Sequence, residues 1–66
     1  MSVKYPQVEV QLTGQDGNAF FIIGRVRRAL REAGASKEEV ESFCAEAMNG
    51  DYNNVLQTCM RWVSVS

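Results

Sequence analysis

Residues 5–13 read Tyr-Pro-Gln-Val-Glu-Val-Gln-Leu-Thr, and they alternate. Val8, Val10 and Leu12 fall on one side; Gln7, Glu9 and Gln11 fall on the other. A period of two with apolar residues on one face is the pattern of a half-buried β-strand. Pro6 stands at its start, where a missing N–H does least harm. A lone strand leaves its own backbone groups unpaired, so this one needs a partner. Two candidates exist. The tail from Trp62 to Ser66 alternates in its own way, Val63 and Val65 against Ser64 and Ser66, and is read as a possible short C-terminal strand. The other candidate is the same strand of a second copy. A symmetric antiparallel pairing of residues 7–13 would place Val8, Val10 and Leu12 over the helices of both chains.

Working outward, Gly14 to Asn18 is a turn, with Asp16-Gly17 as the bend and Asn18 as a helix N-cap. From Ala19 the period changes to that of a helix. Ala19, Ile22, Ile23, Val26, Ala29, Leu30 and Ala33 share one arc, and Arg25, Arg27, Arg28, Arg31 and Glu32 lie opposite. Gly34 is a C-terminal stop. Ser36-Lys-Glu-Glu39 is a capping box in which Ser36 caps and Glu39 reaches back. Val40, Phe43, Cys44, Ala47 and Met48 then recur at helical spacing until Asn49-Gly50. Asp51 caps a third helix with Tyr52, Val55, Leu56, Cys59 and Met60 on its face, continued by Trp62 and Val63. The spacing therefore predicts an α+β fold in one domain, 1–66. It has a strand at about 5–13 and helices at about 18–33, 36–48 and 51–62.

The chain has 66 residues with seven Lys or Arg, eight Asp or Glu, no histidine and two cysteines, and 45% of it is hydrophobic. That composition is globular rather than disordered. The length excludes a doubly wound nucleotide fold or a barrel enzyme. The lack of histidine excludes a Ser-His-Asp triad, a Cys-His pair and a His-rich metal site. Nothing pairs a nucleophile with a base, Asp51 is a cap, and so small a domain has little room for a deep pocket. No enzyme activity, metal or cofactor is expected. The opening Met-Ser-Val-Lys-Tyr-Pro has no apolar core, so no signal peptide is read there, and no apolar run approaches a membrane span. The expected compartment is the cytoplasm, with Cys44 and Cys59 reduced and packed inside. Domains of this size bury only about 60% of the surface their unfolded chains expose, so association is a natural supplement.

Four of the seven basic residues (Arg25, Arg27, Arg28 and Arg31) lie within about two helical turns, with Phe20 and Phe21 beside them. Arginines beside aromatics suit a phosphate-rich partner or single-stranded nucleic acid. The plainer reading is a solvated face, neutralised by Glu38, Glu39, Glu41 and Glu46 of the next helix. The glycine turn matches neither common phosphate-binding pattern, and Asp16 would repel an anion there. A helix-turn-helix reading of residues 25–48 fails because its reading helix would be acidic.

Gln11-Leu-Thr-Gly-Gln-Asp-Gly-Asn-Ala-Phe20, then Gly24-Arg-Val26, Ala29-Leu30, Gly34, Gly50-Asp-Tyr-Asn53 and Arg61-Trp-Val63, resembles a family of short bacterial and phage or prophage proteins of unknown function. The resemblance spans nearly the whole chain. It implies a small cytoplasmic protein and carries over no catalytic residue. The stretch from Gly34 to Met60 is similar to part of a ubiquitin-associated domain. It lacks that fold's Met-Gly-Phe-type loop, so this likeness implies three-helix packing and not ubiquitin binding.

The expected function is therefore non-enzymatic: protein–protein contact or self-association. A homodimer through Val8, Val10 and Leu12 is expected, together with an unidentified protein partner. The alternative is a nucleic-acid-binding accessory protein that uses Arg25, Arg27, Arg28, Arg31, Phe20 and Phe21. The discriminating feature is whether the acidic helix neutralises the arginines in space.

Overall fold

The strand finds its partner within the chain. In the computed structural model, which describes residues 3–11 and 19–65, strand β1 spans Tyr5–Val10 and strand β2 spans Val63–Val65. They pair in parallel, Tyr5 with Val63, Glu9 with Ser64 and Val10 with Val65, with an irregularity between Tyr5 and Glu9. The Ser64 hydroxyl donates to the Pro6 carbonyl at 2.9 Å, and Lys4 N–H donates to the Arg61 carbonyl at 3.0 Å. Between the strands lie helices α1 (Ala19–Glu32), α2 (Lys37–Ala47) and α3 (Tyr52–Trp62). The α+β architecture with a C-terminal strand is thus as expected. Parallel pairing demands a long crossover, and three helices supply it.

Val8 and Val10 are buried against the helices of their own chain. That removes the need for a second copy to cover them. Leu12, the third residue of the expected dimer strand, lies outside the described residues, as do the turn from Gly14 to Asn18 and its cap.

Local chemistry sets each helix end. Gly34 takes φ +93°, open to glycine at no steric cost. Ala35 N–H then reaches the Leu30 carbonyl and Gly34 N–H the Arg31 carbonyl, which is a Schellman closure. Because the chain turns away here, Ala33 is exposed and not part of the apolar arc. Ser36 Oγ accepts from Glu39 N–H at 3.1 Å, giving half of the expected capping box. The Glu39 carboxylate does not reach back; it sits 2.9 Å from Lys4 Nζ. Asp51 caps α3 by accepting from Asn54 N–H at 3.0 Å. Asn54 in turn donates from Nδ2 to the Glu46 and Ala47 carbonyls, at 2.8 and 3.3 Å, and so closes the end of α2.

The core joins Ile22, Ile23, Val26 and Leu30 of α1 to Phe43 and Ala47 of α2 and to Val55, Cys59 and Trp62 of α3. The radius of gyration, 10.6 Å, is that of a compact chain of this length, about 11 Å.

Two helices are rotated relative to the sequence reading. Thr58 is fully buried, because its hydroxyl accepts from Arg61 Nη2 at 3.2 Å. The buried face of α3 is therefore Val55, Thr58, Cys59 and Trp62, and Tyr52 and Met60 point outward at 43% and 56% exposure. On α2, Cys44 is half-buried and Met48, at the C-cap, is exposed. Both had been expected in the core stripe.

Candidate functional site: the faces of the helices

The four arginines of α1 are all exposed, as are Phe20 at 75% and Phe21 at 69%. Among the described residues, no glutamate of α2 lies within ion-pair distance of Arg27, Arg28 or Arg31. Glu39 pairs with Lys4. Glu46 lies 3.8 Å from Arg61 and accepts from the Trp62 indole N–H at 3.4 Å. Arg28 pairs with Glu32 of its own helix at 3.2 Å. Among the described residues, Arg27, Arg31 and Lys37 have no carboxylate within ion-pair distance.

Helical geometry sorts these side chains into two rows. Phe20, Gly24, Arg27 and Arg31 are spaced four, three and four apart, and so share one side of α1. Lys37, Glu41, Cys44 and Met48 have the same spacing and share one side of α2. Residues of both rows line two separate depressions, one at each end of the seam between α1 and α2, and this seam is the furrow. At one end Arg27, Arg31, Lys37 and Glu41 rim about 600 Å³ of open space. Its floor there is Ala35, Val40 and Cys44. At the other end Phe20, Met48 and Tyr52 rim about 300 Å³, floored by Ile23, Ala47 and Val55. One end is therefore mainly basic and the other mainly apolar, with Asp51 at its edge.

Gly24 sits in the middle of the first row. A glycine inside a helix costs roughly 0.8–1 kcal/mol relative to alanine. Neither backbone nor packing among the described residues requires it: its φ is not positive, and an added Cβ would meet none of their atoms within 4 Å. By helical spacing it is a gap in the α1 row between Phe20 and Arg27, and so between the two depressions.

A third row lies on α3. Tyr52, Leu56 and Met60 recur every four residues, exposed at both ends and half-buried in the middle. Asn53 and Gln57, both uncharged and exposed, flank it.

Cys59 is fully buried, and burial pushes its thiol up to about 11. A thiol so protected is packing material and not a nucleophile. Among the described residues no group of three potential ligands is placed to hold a metal ion, and no helix is long and apolar enough to cross a membrane.

No family model, curated protein or solved structure matches this chain.

The structure gathers Arg27, Arg28 and Arg31 with Glu32 around one surface depression and places Phe20 in a separate one nearer the start of α1, while Phe21 and Arg25 lie round the outer side of the helix. Sequence reasoning named neither Lys37, Glu41, Cys44 and Met48 as one row nor Gly24 as a gap. The matched spacing on α1 and α2 was the available signal.

Proposed function

We propose that the chain is a non-enzymatic protein-binding module that self-associates as a homodimer through α3. The carrying observation is the apolar row Tyr52–Leu56–Met60, exposed at both ends with Leu56 half-buried between them, and bordered by Asn53, Gln57 and Arg61. Large apolar side chains in a row on the surface of a small domain mark an interaction site. A second copy suits this row because the row itself bears no charge and the charges at its two ends, Asp51 and Arg61, are opposite in sign, so an antiparallel two-fold contact sets no like charges against each other. Cytoplasmic location and bacterial or prophage origin belong to the same proposal. They are supported by the free thiols of Cys44 and Cys59 and by the resemblance carried by Gly50-Asp-Tyr-Asn53 and Arg61-Trp-Val63.

Size-exclusion chromatography with light scattering tests the dimer. The wild type should run at twice 7.4 kDa, and Leu56→Gln with Met60→Glu should return it to 7.4 kDa. A 7.4 kDa wild-type species at high concentration would overturn the proposal.

A further inference from the structure

We propose that the furrow between α1 and α2 binds an acidic amphipathic helix of a partner protein. The apolar residues of that helix would lie against Phe20 and Met48, and its carboxylates against Arg27, Arg31 and Lys37. This rests on the reading of the chain as a protein-binding module, but it does not use Leu56 or Met60 of the α3 row; Tyr52 borders both surfaces.

The two rows run about 16 Å, the rise of eleven helical residues, which matches three turns of a docked helix. Basic and apolar ends call for a ligand with acidic and apolar ends. Among the described residues no carboxylate pairs with Arg27, Arg31 or Lys37, so they are available to an incoming one. Arginine holds a carboxylate with two parallel hydrogen bonds, which gives direction as well as attraction. Gly24 provides the close approach: with no side chain between Phe20 and Arg27, a partner helix can lie against the backbone of α1. Met48 is unbranched and adapts to an apolar anchor.

Other occupants fit less well. A second copy placed furrow to furrow would set the three cations against the same cations or, turned end for end, against an apolar end that offers them Asp51 alone. Nucleic acid carries a phosphate at every step and would have to pass Glu41 in the wall of the furrow, on a chain of net charge −1. A peptide can place an uncharged residue opposite Glu41.

A library of random displayed peptides selected against the immobilised protein provides the test. The selected peptides should carry apolar residues on one helical stripe and Asp or Glu about two turns away. Synthetic copies should bind in fluorescence anisotropy and lose about tenfold in affinity when Arg27→Gln and Arg31→Gln are combined, with further weakening as salt rises. Gly24→Gln separates binding from folding: it should raise the melting temperature while weakening the peptide about tenfold, because only the ligand needs the gap. Leu56→Gln with Met60→Glu should leave affinity unchanged, so loss of the dimer and loss of the furrow site are told apart. The proposal is overturned if no peptide is enriched, if the enriched peptides lack acidic residues, if the arginine or glycine variants bind as well as wild type, or if oligothymidylate binds more tightly than the peptides.

Discussion

The Trp62 ring is stacked on Tyr5, with 6.2 Å between centroids and 14° between planes. Phe43 meets the same indole edge-on at 5.7 Å, and Lys4 Nζ stands 4.4 Å from its centroid. The last residue of α3 is thereby joined to the start of β1 and to the middle of α2. This contact carries the crossover: β2 begins at the next residue, so placing Trp62 places Val63 beside Tyr5.

Trp62→Ala should therefore unfold the chain. Deleting a buried Trp or Phe side chain costs roughly 3–5 kcal/mol, and a 66-residue domain has about 3–10 kcal/mol in all. Trp62→Phe keeps the contact with Phe43 and should fold with a lowered melting temperature. Circular dichroism melts decide this. A Trp62→Ala protein that melts within a few degrees of wild type would show that the stack does not hold the strands.

How much of this was legible beforehand differs by level. Ser36, Asp51 and Gly34 act through the nearest few residues, so their spacing disclosed them. Val63 and Val65 alternate, and that pattern named the strand which in fact pairs with β1. The rotation of α3 was not legible. It depends on Arg61 satisfying the Thr58 hydroxyl, and a threonine between apolar neighbours reads as a surface residue until its partner is seen. The same limit hid the furrow. The choice of Lys4 by Glu39 and of Arg61 by Glu46 is a matter of long-range position, and it is what leaves Arg27 and Arg31 open.

The glycines should separate by mechanism. Gly24→Ala should stabilise the fold by up to about 1 kcal/mol, since α1 gains propensity and the new methyl meets nothing. Gly50→Ala should destabilise it, because its Cβ would lie 2.9 Å from Asn54 Cβ and disturb the amide that closes α2. Gly34→Ala should cost about 1 kcal/mol for its left-handed backbone. Urea titrations of the three variants should give one rise and two falls. A destabilising Gly24→Ala would mean that the position has a role inside the chain.

The two thiols should react differently with a disulfide reagent. Cys44 is half-buried on the furrow floor, and Cys59 is fully buried with its thiol pushed up to about 11. In native protein near pH 8, one thiol should react promptly and the second only at the rate of unfolding; in denaturant both should react at once. Peptide mapping should place the fast modification on Cys44. Prompt labelling of Cys59 would contradict its packing against the core.

Stability should fall on the alkaline side, and Cys59 should cause most of the fall. Its folded pKa lies above its ordinary value of 9.0, chiefly because burial disfavours the thiolate. The folded state then holds a proton that the unfolded state releases. The contribution is fully present below about pH 9 and is lost as pH climbs to about 11. Two pH units at about 1.4 kcal/mol each give a loss of roughly 2–3 kcal/mol. Lys4 adds to it in the same direction, its ammonium being held above 10.5 first by the hydrogen bond to Glu39. Cys59→Ala gives up about 1 kcal/mol of packing at neutral pH, yet it should lose much less between pH 9 and 11. Urea unfolding at intervals across that range should show the two curves converging or crossing. Parallel curves would place the titrating group elsewhere.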